Sequence, residues 1–416
     1  MFKKVPGTKD ILPGEIAWWL KIEESSRRIF SLYNYQEIRP PLIEDVGLFN
    51  RSLGESAEIV QKQMFLIRNN QDTYALRPEG TASIVRAYLE NNLDKTNSFS
   101  KLYYTGAMFR LERPQKGRLR QFHHLGCEVI GSYQPQVDAE VISLGDRILK
   151  ESGIKGYRIK INTLGCSQDK KELSSSLRKG LKDKLGQLCR ECLVRYERNI
   201  LRVLDCKNES CREVVRSLNL SSSHICKECA DHFKQVREVL DSLKINYEVS
   251  PYLVRGLDYY TRTVFEFVHP DLGPQQDALG AGGRYDNLVK NLGGPEKGAV
   301  GFAFGLERLA LIHQTPGHQD TGTPGNLVYI VTMGEAAKKE GTKLLDYLRL
   351  SGICADTDYE GRTLKGAMRL ANDLKAKFVI IIGDDELKKN VVTLKNMSSG
   401  EQREVKSEDL LGELKC

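Results

Sequence analysis

The sequence predicts an α+β fold: an antiparallel sheet backed by helices, interrupted by a charged helical insertion and followed by a separate α/β domain. Three observations carry this. Two alternating segments, Lys101–Phe109 and Leu119–Gly131, flank the turn residues Pro114 and Gly117, the pattern of a long antiparallel hairpin. From about Gly165 to Asn246 the chain is charged, helical in periodicity and rich in cysteine. After the Gly/Pro-rich stretch PGHQDTGTPGN, apolar runs alternate with helical patterns.

The elements follow in order. Pro13 to Tyr33 alternates apolar and charged positions at helical spacing. EIRPPLIED is held extended by Pro40 and Pro41. The hairpin comes next, and the sheet is interrupted after about Ile161. It resumes with the alternating strand Thr261–Val268 and with Gly298–Ile312, read as strand, glycine turn and helix. From about Asn326, NLVYIVTM, ICADTDY and KFVIIIG are apolar strands separated by helices, which indicates parallel-type α/β structure.

Bulk properties limit the function classes. The 416 residues suggest two or three domains, and 40% hydrophobic with 28% charged residues is an ordinary globular composition. MFKKVPGTKDILPGE lacks the apolar core of a signal peptide, and runs such as FVIII are too short to span a bilayer, so a cytoplasmic protein without a membrane segment is expected. The net charge of +7 is compatible with a polyanionic partner. From Asn326 onward fifteen basic residues balance fifteen acidic ones, so the excess lies upstream.

Between Arg110 and Arg120 stand four arginines and a lysine, followed by His123, His124 and Glu128. Guanidinium binds phosphate oxygens bidentately, and Arg110, Arg118 and Arg120 on facing strands could converge on a polyphosphate. The plainer reading is a solvated, salt-bridged edge; Phe122 and Glu128 add a stacking face and an acceptor. Neither G-x-x-x-x-G-K-[ST] nor a post-strand G-x-G-x-x-G is present, so a nucleotide would be held by side chains on a sheet. LVRGLDYYTRTVFEF suggests a pocket wall, against the alternative of core tyrosines. In LRPEGTAS, Thr81 is placed to cap a helix. In GFAFGLERLAL, Arg308 opens a helix after Gly305.

Six of the ten cysteines lie between Cys189 and Cys229, where the absence of an export signal argues against disulfides. The spacing is Cys189-x₂-Cys192, Cys206-x₄-Cys211, Cys226-x₂-Cys229. It points to structural Zn²⁺ on Cys189, Cys192, Cys226 and Cys229, with Cys206 and Cys211 as a further pair and His224 and His232 as additional candidates. Six reduced thiols are the other reading.

Taken together and in order, LRPEGTA, FRLERPQKGRLRQFHHLG, LVRGLDYYTRTVFEF, GAGGRYDNLV and GFAFGLERL closely resemble the histidyl-tRNA synthetases, a family of class II aminoacyl-tRNA synthetases. RPPLIED resembles motif 1 of that class, the arginine hairpin motif 2 and GFAFGLERL motif 3; LVRGLDYY and AGGRYD resemble the histidine-specific segments. The resemblance runs from GTKDILP to the C-terminal domain. It implies a class II catalytic core over 1–164 and 247–320, a helical Cys-rich insertion over 165–246 and an anticodon-binding domain over 321–416. The implied reaction joins L-histidine to ATP as histidyl-adenylate, with Mg²⁺ on the phosphates, and passes the histidyl group to histidine tRNA.

The resemblance also implies roles. Arg110 and Arg255 would be catalytic, contacting the α-phosphate and the substrate carboxylate. Glu112 would read the adenine, Phe122 and Arg308 would sandwich it, and Arg118 and Arg308 would lie near the γ-phosphate. Glu79 and Thr81 would hold the substrate amino group and Glu128 and Tyr260 would hydrogen-bond the imidazole, with Gly80 and Tyr259 as further histidine-binding residues. His124 stands where the family usually has glutamine, and a neutral imidazole is expected there. Arg113, Gln115 and Lys116 would approach the tRNA acceptor end, the insertion would clamp the acceptor arm, and motif 1 implies a homodimer. The nearest alternative is the synthetase-like, histidine-sensing regulatory subunit of ATP phosphoribosyltransferase. That paralogue typically lacks the anticodon domain and loses ATP-binding arginines, whereas Arg110, Arg118, Arg255 and Arg308 all remain here.

Overall fold

The computed structural model describes residues 2–54, 57–69, 71–115, 117–218, 224–273, 277–313 and 326–414. Lys116, most of the PGHQDTGTPGN stretch and the expected 320/321 boundary lie outside the described residues. The chain divides into two compact units, Met1–Gln319 and Asp320–Cys416.

Among the described residues the first unit has eleven strands: β1 (Gln36–Glu37), β2 (Ile43–Asp45), β3 (Phe65–Arg68), β4 (Thr73–Leu76), β5 (Ser100–Phe109), β6 (Gln121–Ile130), β7 (Arg158–Thr163), β8 (Glu248–Val249), β9 (Thr261–Val268), β10 (Ala278–Arg284) and β11 (Ala299–Gly305). Eight form one sheet in the order β1-β5-β6-β11-β10-β9-β7-β8, and β2-β4-β3 form a small second sheet. The six central strands of the large sheet pair antiparallel, while the two-residue edge strands β1 and β8 join parallel to β5 and β7. The β5–β6 hairpin runs in register from Ser100↔Ile130 to Phe109↔Gln121.

Because strand side chains alternate between faces, β6 sends Leu125, Cys127 and Val129 to one side and Phe122, His124 and Glu128 to the other. The first side is core, where those residues meet Phe265, Phe267, Phe302 and Phe304 and the helices Pro13–Leu32 and Pro135–Glu151. Phe302 and Phe304 meet edge-on at 4.9 Å, and each such buried ring contributes roughly 1.5–3 kcal/mol of transfer free energy. The second side carries the pocket described below.

Between β7 and β8 the chain makes the helices Ser167–Leu181, Arg190–Arg198, Glu209–Arg216 and Lys227–Ser242. The last returns to the core, burying Val236 and Leu240 with the residues of Pro135–Glu151. A buried charge assembly joins the same elements. Arg284 on β10 donates to Asp138 from Nε at 2.9 Å, and Asp138 also meets Nε2 of His232 at 2.8 Å.

The second unit holds β12 (Val328–Thr332), β13 (Ala355–Thr357), β14 (Phe378–Ile382), β15 (Val391–Asn396) and β16 (Gln402–Lys406), in the order β13-β12-β14-β15-β16. The three expected strands pair parallel, as their apolar runs suggest for a sheet covered on both faces. A hairpin, β15–β16, extends them antiparallel and makes the sheet mixed rather than purely parallel-type.

Candidate active site

The pocket side of the large sheet opens into a cleft with about 990 Å³ of empty space. Glu79, Thr81, Arg110, Glu112, Arg118, Phe122, His124, Arg255, Tyr259, Tyr260 and Arg308 line it, so most of the predicted site residues come together. Gly80 is buried in the same corner, where a Cβ would strike the Tyr104 ring at 2.4 Å.

One end of the cleft is rich in carboxyl and hydroxyl groups. Helix Thr81–Glu90 begins there, and Glu79 accepts from the backbone N–H groups of Thr81 and Ala82, both at 2.8 Å. Glu79, not Thr81, therefore satisfies the first orphan donors of this helix. The Thr81 hydroxyl instead donates to Glu128 at 2.7 Å. Tyr285 donates to the other Glu128 oxygen at 2.5 Å, and Tyr104 is 3.4 Å from the first. Glu128 thus lies beneath the lining, 1% exposed, with three hydroxyls gathered on it. The opposing strand makes this possible through Gly301, where a Cβ would come within 1.8 Å of Oε2 of Glu128. Burial pushes the Glu128 carboxyl up to about 8, against the pull of its hydroxyl donors, and burial likewise raises Glu79. The Tyr259 and Tyr260 rings stand 4.6 Å apart, and burial raises the Tyr260 phenol to about 12.

The other end is cationic. Arg110 donates from Nε to the Pro78 carbonyl at 2.8 Å and lies 5.2 Å over the Phe122 ring. Glu112 faces Arg118 at 3.3 Å and Arg110 at 3.9 Å. Arg308 donates to the carbonyls of Gly117 and Ala278 at 3.1 and 2.6 Å. Arg255 donates from Nη1 to Glu266 at 2.8 Å, but its buried Nε has no partner. Nδ1 of His124 is likewise buried and unpartnered. Burial, with Arg110, Arg308 and Arg77 adding to it, holds the His124 imidazole well below its ordinary 6.5. This favours the neutral imidazole near pH 7.

Three expectations need correction. Arg120 does not join the cationic cluster: its guanidinium turns to the carbonyls of Glu112 and Pro6, and its N–H donates to the carbonyl of Gly7 at 2.7 Å. The N-terminal loop, turned at Gly7 with φ +87°, captures it. The thiol pairing also differs. Cys189 and Cys192 meet Cys206 and Cys211, while Cys226 and Cys229 meet Cys166 and Asp169; in each group the ligand atoms lie within 4.8 Å of one another. The 3₁₀ turn Ile200–Asp205 packs against helix Arg190–Arg198 and delivers Cys206, whereas Cys226 opens the helix that returns to the core. The third correction is His232, which serves Asp138 rather than a thiol group. Arg113 and Gln115 are exposed on the hairpin turn, outside the cleft.

Sequence reasoning passed over Tyr104 and Tyr285 as individual residues. Tyr285 lies within AGGRYD, just past the end of β10, and reaches Glu128 from there. Tyr104 faces Gly126 across the hairpin, an aromatic opposite a glycine, which is a readable sign of a ring laid over the strand.

An antiparallel sheet that sets guanidiniums beside a buried carboxyl-and-hydroxyl corner, joined to a second α/β unit, defines the architecture of a class II aminoacyl-tRNA synthetase. The histidyl-tRNA synthetase family model matches residues 7–309, and an anticodon binding domain model matches 327–416. The chain is 44% identical to the histidine–tRNA ligase of Desulforamulus reducens, covering 97% of both chains. It is 43% identical to that of Thermosipho melanesiensis, over 99% of this chain and 98% of the relative. Among solved structures, apo histidyl-tRNA synthetase of S. aureus matches with a TM-score of 0.81 and 37% identity over the full length of both chains. The chain belongs to the histidyl-tRNA synthetase family, and its activity is histidine–tRNA ligation. The regulatory-subunit reading is not favoured, because the relatives named as ligases match along nearly the whole chain, C-terminal unit included.

Proposed function

We propose that the cleft activates L-histidine with ATP, and that the cationic and carboxyl-rich ends divide the two substrates between them. The observation that carries this is the pair of buried, unpartnered atoms, Nε of Arg255 and Nδ1 of His124, beside Arg110 and Arg308. Leaving such a group unsatisfied costs roughly 1–3 kcal/mol, a cost that a polar ligand removes.

In this reading Arg110 and Arg255 bind the histidine carboxylate and the α-phosphate. A carboxylate oxygen attacks the α-phosphorus, the bond to the β-phosphate oxygen breaks, and pyrophosphate leaves. The two guanidiniums stabilise charge on the five-coordinate phosphorus and hold the reactants in line. Phe122 and Arg308 take the adenine between them, Glu112 accepts from its amino group, and Arg118 meets the γ-phosphate. Mg²⁺ supplies charge neutralisation on the phosphates. Of the lining carboxylates, Glu112 and Glu307 lie at the cationic end, Glu112 facing two arginines and Glu307 meeting His123 at 2.9 Å, and these two would help hold the ion. Glu79 and Thr81, with Gly80 leaving room, receive the substrate ammonium. Glu128, Tyr259 and Tyr260 read the imidazole, and an amino acid that leaves them unpaired is rejected without editing.

Transfer then passes the histidyl group to the terminal ribose hydroxyl of histidine tRNA. The hairpin turn with Arg113, Gln115 and Lys116 meets the acceptor end, the insertion closes on the acceptor arm, and the C-terminal unit reads unstacked anticodon bases. A homodimer forms through the motif 1 segment; Leu42 and Ile43 there, and Leu66 and Ile67 on the small sheet, are exposed apolar side chains. Among the described residues no helix is long and apolar enough to cross a membrane, and the cytoplasm, where tRNA is charged, is the site of action. Cys189, Cys192, Cys206 and Cys211 hold a structural Zn²⁺; Sγ of Cys189 and Cys206 are 3.9 Å apart, close to the edge of a tetrahedron with Zn–S bonds of about 2.3 Å.

The test is ATP–pyrophosphate exchange with each of the twenty amino acids and no tRNA. Exchange with histidine alone is expected, and exchange with none would remove the reading.

A further inference from the structure

Where the insertion leaves and re-enters the core, four potential ligand atoms converge from segments some sixty residues apart. Cys166, Asp169, Cys226 and Cys229 place one sulfur or carboxylate oxygen each within 4.8 Å of the others. The construction is regular. Cys166 is the N-cap of helix Ser167–Leu181 and Asp169 its third residue; Cys226 is the N-cap of helix Lys227–Ser242 and Cys229 its third. Two helix N-termini, each presenting an N-cap and an N3 ligand, face one point. Gly165, with φ +69°, turns the chain so closely over Asp169 that a Cβ would come within 2.3 Å of its carboxylate. Asp169 also accepts from the backbone N–H of Cys166 at 3.1 Å, which fixes its approach.

We propose that Cys166, Asp169, Cys226 and Cys229 form a second tetrahedral Zn²⁺ site, separate from the four-cysteine site, that fastens the two ends of the insertion to each other. Three thiolates and a carboxylate suit a borderline-soft cation of closed shell, and four protein ligands leave no open position, the mark of a structural site. Only six of the ten cysteines fall within the dense Cys189–Cys229 stretch; Cys166 comes from outside it and supplies the ligand that the two-pair count lacks.

The position gives the ion a consequence for the cleft. One residue past Asp169, Lys170 donates from Nζ to the carbonyls of Asp258 and Tyr260, both at 2.9 Å. Arg262, held at φ +47°, ties the same place to the core: its N–H donates to the Gly165 carbonyl at 2.8 Å, and its carbonyl accepts from Leu164 at 2.7 Å. An ion that orders the first turn of helix Ser167–Leu181 thereby orders Lys170, a positioning residue for the loop that carries Tyr259 and Tyr260.

The test is zinc content by elemental mass spectrometry on the full chain, purified under reducing conditions without chelator. Two equivalents per chain are expected, one for each ligand group. Cys226→Ser is expected to lose one equivalent and to raise the KM for histidine while leaving that for ATP in place. Cys189→Ser loses the other equivalent, so failure of the four-cysteine site reads out separately. Zinc content unchanged by Cys226→Ser overturns the proposal, as does a Cys166–Cys229 disulfide found in the unreduced protein. If Cys226→Ser fails to fold, Asp169→Cys in Co²⁺-loaded protein decides. A gain in thiolate-to-cobalt absorbance at unchanged stoichiometry supports the site, and an unchanged spectrum removes Asp169 from it and overturns the proposal.

Discussion

Asp138, Arg284 and His232 form one buried polar assembly, and buried Glu128 with half-buried His124 and Arg255 forms another, yet the two are built on different terms. In the first the bonding is saturated. Arg284, 0% exposed, gives Nε to Asp138, Nη1 to Asp286 at 2.9 Å and to the Ser132 carbonyl at 2.8 Å, and Nη2 to Gln134 at 3.1 Å, while His232 takes the second Asp138 oxygen. In the second, donors stand open beside a neutral imidazole and a carboxyl whose proton burial retains. Buried charge alone therefore does not mark a catalytic centre. A saturated assembly fastens a strand to two helices; an unsaturated one is kept by the fold at a cost that a ligand relieves.

The strongest test of this contrast is Arg284→Met. It leaves Asp138 charged, buried and short of its main partner, a change worth about 3–5 kcal/mol of stability. The thermal midpoint is expected to fall sharply, while pyrophosphate exchange per folded molecule stays near that of the unaltered chain. A collapse of exchange in protein that melts normally would break the distinction. Arg255→Ala is the converse. Removing one charge-stabilising donor costs roughly 10²–10³ in rate, and the midpoint should move far less than in Arg284→Met. Pyrophosphate-exchange kinetics beside calorimetry decides between them.

Glu128→Gln sharpens the contrast through pH. Burial raises the folded carboxyl from 4.5 to about 8, so between those values the unfolded chain has released a proton that the folded chain retains. Stability from this group is full below about 4.5 and is lost as pH rises through about 8. Without ligands, the unaltered protein should lose midpoint relative to Glu128→Gln across that window. Parallel curves would mean that the carboxyl is already ionised when the site is empty. At a fixed neutral pH the Gln variant should also activate histidine poorly, since its amide cannot take the negative charge that an imidazolium or imidazole N–H calls for.

Much of this was legible in the sequence, for identifiable reasons. The alternating segments Lys101–Phe109 and Leu119–Gly131 marked the hairpin that carries Phe122, His124 and Glu128, and Pro114 and Gly117 marked its turn. Arg120 was misread because the loop that captures it lies more than a hundred residues upstream, at Pro6 and Gly7. Tyr285 meets Glu128 across a separation of 157 residues, which no local pattern encodes. Cysteine spacing revealed which residues form pairs but not which pairs meet, and Asp169 carried no cysteine signal at all. The β15–β16 hairpin escaped notice because VVTLKN and QREVK are short and largely polar on their outer face.

The smallest expected effect belongs to His124→Gln. Burial of His124, whose Nδ1 is unpartnered, disfavours a second proton, and Arg110, Arg308 and Arg77 add their repulsion to it. The imidazole of the folded chain is thus neutral well below 6.5, whereas in the unfolded chain it titrates at its ordinary value. Stability from this residue is present above about 6.5 and is lost as pH falls from there towards the lower folded value. Glutamine, which does not titrate, removes that acid-side loss. In the complex both side chains offer one hydrogen bond to the substrate, worth about 0.5–1.5 kcal/mol, so the KM for histidine should differ by no more than about tenfold. Between pH 6.5 and 8.5 the two KM profiles should run parallel. An inflection near 6.5 in the unaltered enzyme that vanishes in His124→Gln would show the imidazole accepting a proton inside the cleft. The arginines around it would then be screened by something other than the substrate, and the cationic end would not be the unsaturated half of the comparison.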